Sequence, residues 1–232
     1  MKVLGLIPAR KGSKRLPGKN TKILRGKSLI QYTYEAAEKS KYLDKVILST
    51  DSISIAETAR NFPKINVPFI RPSELASDRA SDNEVMSHAL NFLAEKGEQY
   101  DLLVYLRPTS PFKTASIIDQ VVSKMISEPE LTGVRTVTEV NSVSHPYWMY
   151  KKEHGLLVDF CSEGGVNQYY QSQLLPECFR LNGVVDCLKT FNLGSGSLYG
   201  EKVGSIVLDE HQSVDIDTNF DFLLAETLLG KN

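Results

Sequence analysis

Five cations fall within one short loop, Arg10, Lys11, Lys14, Arg15 and Lys19, with Gly12 and Gly18 between them. Glycines let backbone turn tightly enough for N–H groups to approach an anion. Ala9, Ser13 and Asn20 complete the stretch. A triphosphate needs several cations and donors at once, and this loop supplies them. It is neither a G-x-x-x-x-G-K-[ST] loop nor a G-x-G-x-x-G turn. It also lacks the aromatic residues on which nucleic-acid bases stack. Near the other end, Ser-Val-Asp-Ile-Asp-Thr at 213–218 alternates like a short strand, which predicts that Asp215 and Asp217 point to one face. Two such carboxylates suit Mg²⁺, a hard cation that takes one or two protein oxygens plus phosphate oxygens. Metal bridging would neutralise a triphosphate and organise in-line attack at its α-phosphorus. Taken singly, each feature has a plainer reading. The loop is also a solvated charge run, and Asp217 or Thr218 is also a helix N-cap. Together they describe the two halves of a nucleotide site.

The elements that must position these groups alternate strand and helix. Strands are predicted at 3–7, 45–49, 101–106, 133–139, 181–185 and 203–208, with a short extended piece at 67–70. Helices are predicted after the Ser28 cap, from Asp51 or Ser52 through Ala59, and at 82–96, 115–127 and 219–229. Right-handed crossovers then give an α/β fold, a Rossmann-like and mostly parallel sheet with helices on both faces. The basic loop follows the first strand, at a carboxyl end where open α/β sheets bind ligands. The alternation breaks over about 141–176, which reads as an inserted arm in a single domain spanning 1–232. Its Tyr147-Trp-Met-Tyr run is costly to expose, so the arm is expected to pack against a second subunit as a dimerisation arm.

Composition excludes several classes. A formal net charge of −1 argues against a nucleic-acid backbone as partner. Cys161, Cys178 and Cys187 are odd in number with no C-x-x-C spacing, so reduced thiols in a cytoplasmic protein are expected. The apolar start at 3–7 is too short for a signal peptide, and no segment reaches the ~20 apolar residues of a membrane span.

The loop 9–20 resembles the nucleotide-binding signature of acylneuraminate cytidylyltransferases. Four further segments agree in order: Ser-Thr-Asp at 49–51, Arg-Pro-Ser-Glu-Leu-Ala-Ser-Asp at 71–78, Pro-Thr-Ser-Pro at 108–111, and Phe-Arg-Leu-Asn-Gly at 179–183 followed by Val-Asp-Ile-Asp-Thr at 214–218. The resemblance spans nearly the whole chain. It implies a nucleotide-diphospho-sugar transferase fold, a homodimer formed through the arm, and Mg²⁺-dependent transfer of CMP from CTP to a nonulosonic sugar acid. On that basis Arg10, Lys14 and Lys19 hold the triphosphate within the frame of Ala9, Gly12 and Ser13, with Arg10 and Lys19 catalytic. Asn20, Arg71 and the turn Ala80, Ser81, Asp82 frame base and ribose. Asp215 and Asp217 bind metal, and Asp217 helps deprotonate the acceptor hydroxyl. Arg107, Thr109, Trp148, Arg180 and Asn182 lie toward the acceptor.

The chain departs from the family pattern at several points. Arg107 stands where glutamine is common, Asp82 where serine is common, Trp148 in place of a lysine, and Ser172 near the place of an arginine. One reading moves the acceptor-binding cation to Arg107 with Trp148 as an apolar wall; the other is drift at a variable acceptor site. Asp82 suits a cytosine amino group, and guanine donors as well. Three rivals remain open: another NTP or a sugar-phosphate acceptor, a metal-dependent glycosyltransferase, and a non-catalytic nucleotide-binding subunit.

Overall fold

The first strand, β1 (Val3–Pro8), is apolar on both faces and sits inside the sheet. Val3 and Ile7 face one core while Leu4 and Leu6 face another. Only a strand covered on both sides reads this way. The computed structural model describes residues 1–194 and 196–230; the single-domain reading over 1–232 also reaches 195, 231 and 232, outside the described residues.

β1 pairs in parallel with β4 (Lys45–Ser49) on one side and β6 (Leu102–Tyr105) on the other, and β4 pairs with the short β5 (Ile65–Asn66). Beyond β6 lies β10 (Phe179–Lys189), antiparallel to both β6 and β7 (Gly133–Glu139). β11 (Val203–Val207) closes the sheet in parallel with β7. The order β11-β7-β10-β6-β1-β4-β5 reverses direction at β1, so a crevice opens beyond the carboxyl ends of β1 and β6. The mostly parallel sheet expected from the sequence is present.

Helices α1 (Leu29–Lys39) and α4 (Ala115–Ser127) cover one face through Ile30, Tyr34, Ile118 and Val122. Helix α3 (Asp82–Ala94) covers the other through Met86, Ala89 and Leu93. The short α2 (Ile53–Glu57) starts at Ser52, whose hydroxyl accepts from the Ile55 N–H. Helix α5 (Asn219–Leu229) starts at the Thr218 cap. A third, smaller core joins Leu16 and Leu24 near the start of the chain to Ile216, Phe222 and Ala225 near its end. Leu24 lies in the small ladder of β2 (Ile23–Leu24) with β3 (Lys27–Ser28).

Three expectations change. The stretch 67–70 forms no ladder; the pairing strand is Ile65–Asn66 just before it. Residues 214–217 are extended but join no sheet, held instead by the Ile216 N–H donating to the Thr109 carbonyl at 2.8 Å. The alternation survives as burial: Ile216 is fully covered while Asp215 is exposed and Asp217 half-buried. The strand read as 181–185 is an eleven-residue strand broken by a bulge between Leu181 and Asp186. Within 141–176 the structure places an isolated hairpin of β8 (Tyr150–Glu153) and β9 (Leu156–Asp159), exposed throughout. Among the described residues no helix is long and apolar enough to cross a membrane.

Candidate active site

A cavity of about 280 Å³ opens at the switch point, lined among others by Arg10, Lys19, Asn20, Arg71, Asp82 and Arg107. Each wall has a traceable cause. Ala9 extends β1 by donating its N–H to Ser49, so Arg10 emerges at the crevice. Asn20, almost fully covered, donates its amide to the Arg10 carbonyl at 2.9 Å and ties the loop's far end to its start. Gly18 takes a left-handed φ of 66°, which turns the chain into the helical turn Lys19–Thr21. Gly12 does not share this need: its φ lies outside that region and an added Cβ would meet open space. Ser13 is half-buried in the same loop.

The loop's cations rest on two carboxylates. Arg10 bonds Asp78 at 2.6 Å and Lys14 pairs with the same residue. Lys19 bonds Asp217 at 2.9 Å and Arg15 bonds its other oxygen at 2.8 Å. Leu16 and Ile216, buried together in the third core, bring the flanking Arg15 and Asp217 into register. Asp215 has no hydrogen bond or ion pair among the described residues. Those residues include no cluster of three or more metal-ligating side chains, so any cation here would take most of its ligands from solvent or substrate.

A denser network runs from Arg71 and Asp82 through Arg107 to Asp186. Arg71 is 4% exposed, its backbone N–H donates to the Thr50 carbonyl at 2.7 Å, and its buried Nε–H has no partner among the described residues. Burial pushes its guanidinium below the usual arginine range. Ala80 donates to the Ser77 carbonyl, and Ser81 caps α3 in a reciprocal box with Glu84. Asp82 accepts from the Tyr105 hydroxyl at 2.8 Å and from Arg107 at 2.7 Å. The other arm of Arg107 reaches Asp186 at 2.6 Å, and Arg135 reaches the same carboxylate at 3.0 Å. Burial alone would raise the Asp186 carboxyl; Arg107, then Arg135, hold it below the ordinary range. Burial likewise opposes charge on Arg107, but Asp186 and Asp82 more than offset it and raise its pKa. Beneath this loop Lys113 is buried, donates to the Arg107 carbonyl at 2.8 Å, and is pulled down to about 7, chiefly by burial.

Two residues expected near the acceptor are engaged elsewhere. Arg107 is not a free cation, since both edges of its guanidinium are taken by carboxylates. Asn182 is 6% exposed, and its amide accepts from Thr136 at 2.6 Å and donates to Thr138 at 2.9 Å, filling the β10 bulge. Gly183, at φ 67°, passes close to Arg107 in that bulge. Thr109 lines the cavity mouth and anchors Ile216. Arg180 bonds Glu210 and Ser213 just before the acidic pair, both at 2.9 Å. Trp148 lies in the arm, its indole donating to the Tyr169 carbonyl at 2.5 Å, and is not part of the cavity lining.

Sequence reasoning missed Asp186, Arg135 and Lys113. Asp186 had a signal: a lone carboxylate in Val-Val-Asp-Cys-Leu must find a partner if the strand is buried.

Comparison with known proteins agrees with this geometry. The cytidylyltransferase family model matches residues 4–178. The chain is 31% identical to the CMP-N,N'-diacetyllegionaminic acid synthase of Legionella pneumophila, over all of this chain and 98% of that protein. It is 32% identical to the N-acylneuraminate cytidylyltransferase of Escherichia coli O18:K1:H7, covering 99% of this chain but 52% of that longer protein. The fold also matches a solved CMP:2-keto-3-deoxy-manno-octonic acid synthetase complexed with CTP, with a TM-score of 0.71 at 16% identity, over 100% of this chain and 99% of that one. With the charged loop meeting the sheet switch point at one cavity and Asp217 held against the loop's Lys19, the chain belongs to the cytidylyltransferase family and counts acylneuraminate cytidylyltransferases among its relatives.

Proposed function

We propose that this chain transfers CMP from CTP to a nonulosonic, sialic-acid-like sugar acid and releases pyrophosphate. The observation that carries this reading is the Lys19–Asp217 contact at 2.9 Å, which joins the cationic and acidic halves of the site across 198 residues. The names of the relatives support the acceptor class. The acceptor's hydroxyl oxygen forms a bond to the α-phosphorus, the bond from that phosphorus to the β-phosphate bridging oxygen breaks, and pyrophosphate leaves. Arg10, Lys14 and Lys19 hold the triphosphate, whose oxygens replace Asp78 and Asp217 as counter-charges. Asp217, released from Lys19, takes the proton of the attacking hydroxyl. Arg71, Ala80, Ser81 and Asp82 frame the base, and Asn20 fixes the loop beside the ribose.

Asp215 and Asp217 fit Mg²⁺: both are hard oxygen donors, and the oxygens of Asp215 carry no other partner among the described residues. When bound, the ion would neutralise phosphate charge. Thr109 and Arg180 face the acceptor, with Trp148 brought in by the arm. The arm mediates a homodimer, a reading supported by Leu156 and Leu157, each 70% exposed, and Phe160 at 61%. Cytoplasmic action is supported by three free cysteines.

The test is pyrophosphate release from each of the four NTPs against nonulosonic acids and sugar 1-phosphates, with Mg²⁺ or chelator. Release is expected with CTP, a nonulosonic acid and Mg²⁺ together. Release with sugar 1-phosphates alone, or undiminished release in chelator, sinks the corresponding part of the reading.

A further inference from the structure

One buried cation bonds the chain at Arg107 without lining the cavity itself. Lys113 is 4% exposed and stands one residue before Thr114, the cap of α4, at the helix end where positive charge is disfavoured. Burial opposes its charge most and Arg107 adds to that; of the carboxylates that favour it, Asp215 comes before Asp186. An ammonium so placed is costly unless it is bonded. Its Nζ donates to the Arg107 carbonyl at 2.8 Å, across the turn Arg107-Pro-Thr-Ser-Pro-Phe. Pro108 and Pro111 have no N–H with which this turn could hold itself. Among the described residues, three bonds to its carbonyls fix it. They are the one to Arg107, the Lys113 N–H to Ser110 at 3.4 Å, and the Ile216 N–H to Thr109 at 2.8 Å. Lys113 supplies two of the three.

The third bond leads to the acidic segment. Ile216 lies between Asp215 and Asp217, is fully covered, and shares its small core with Leu16 and Leu24. Phe112, the neighbour of Lys113, packs against that same core, as does Val214. Residues 214–217 join no strand, and the bond to Thr109 is their one backbone-to-backbone bond among the described residues. The Asp217 N–H bonds the Asp221 side chain instead. The placing of Asp217 against Lys19 therefore leans on the turn, and the turn on Lys113. We propose that Lys113 is a positioning residue for the transfer step. Its ammonium clips the turn at the Arg107 carbonyl, and the turn, through the Thr109 carbonyl, holds the segment from which Asp217 takes the acceptor's proton. The Arg107 side chain is fixed separately by Asp82 and Asp186, so losing the clip loosens the acidic segment more than the part of the cavity that Arg107 lines. This rests on the cytidylyl-transfer reading.

The experiment measures pyrophosphate release from CTP with a nonulosonic acid, with kcat counted per CTP-binding site found by calorimetry, so that unfolded chains do not enter. The unmodified chain is expected to release pyrophosphate; if it does not, the transfer reading fails and this proposal with it. Lys113→Met keeps an unbranched apolar stem and removes the ammonium; its kcat falls about tenfold or more, with the KM for CTP within about twofold. In the Asp217→Ala background the same substitution adds less than about twofold, because the group it positions is already gone. A chain whose Ile216 amide is replaced by an ester loses only the N–H that Thr109 accepts, and shows the same fall in kcat with Lys113 in place. In an active enzyme, Lys113→Met with an unchanged kcat overturns the proposal alone. A comparable loss on top of Asp217→Ala overturns it too, because that assigns Lys113 to general packing. So does an ester chain with undiminished kcat, and that result decides by itself if Lys113→Met binds no CTP.

Discussion

Two sets of charged residues lie at or beside the cavity, one in and around the basic loop and one around Asp186, and they behave oppositely. In the basic loop, Arg10 and Lys14 lean on Asp78, with Lys14 84% and Asp78 41% exposed. Water competes for every partner there, and such pairs contribute little to stability. On the other side, Asp186 is fully covered between Arg107 and Arg135, with the Tyr199 hydroxyl donating to it at 3.1 Å. Removing one member of a buried set strands the others in a medium that cannot solvate them. On the proposed reading the exposed pairs are exchangeable placeholders for a polyanion, whereas the buried ones are fixtures that hold the chain around Asp186 in shape.

The contrast can be broken in order of expected effect. Asp186→Ala should cost about 3–5 kcal/mol of folding stability, measured by denaturant unfolding, since two guanidinium groups lose their shared carboxylate. A loss comparable to that of a surface pair would show that the network is not a fixture. Asp217→Ala should reduce turnover by about a hundredfold or more while CTP binding survives or tightens, because Lys19 and Arg15 are freed. Full turnover in that variant at saturating Mg²⁺ removes Asp217 from the mechanism.

A third prediction concerns pH. Lys113 is held at about 7 in the folded chain against 10.5 ordinarily. Between those values the unfolded chain binds more protons than the folded one, so stability rises with pH through that window. Lys113→Met should flatten the rise, read from unfolding midpoints at successive pH values; an unaltered slope assigns it to other groups. The smallest effect belongs to Asp78→Asn. Thermal stability should stay level, and CTP affinity should rise about twofold as Arg10 and Lys14 lose an internal competitor. A large drop in stability would put this pair with the buried set.

The same division decides what the sequence discloses. Helix α4 begins after Thr114, which caps it by accepting from Ile117, and both α4 and α5 fall at the expected residues because cap and apolar period are local signals. The basic loop announces itself by charge, glycine and position. Asp186 and Arg107 do not: 79 residues separate them, and nothing in either neighbourhood names the other. Read alone, Arg107 is a cation awaiting a ligand; folded, it is already neutralised. The β10 bulge was equally hidden. It depends on Thr136, whose hydroxyl accepts from Val185 at 3.0 Å, on a strand some fifty residues earlier in the chain. The short strand expected at 213–218 failed for a related reason. Its alternation is real, but it serves a small side core of Ile216 with Leu16 and Leu24 rather than a place in the sheet.

That side core has a consequence for how the protein is born. Synthesis delivers the basic loop first and the Asp217 segment some 198 residues later. Until α5 docks, Leu16 and Leu24 lack their cover and Arg15 and Lys19 lack their counter-charge. Closing so long a loop adds only slowly to its entropic cost, so docking is a late event and not a forbidding one. We expect a ribosome-tethered chain ending before Ile216 to form the sheet and the base wall yet release no pyrophosphate. Competence for transfer would then arrive in a single step, when α5 docks and covers Leu16 and Leu24.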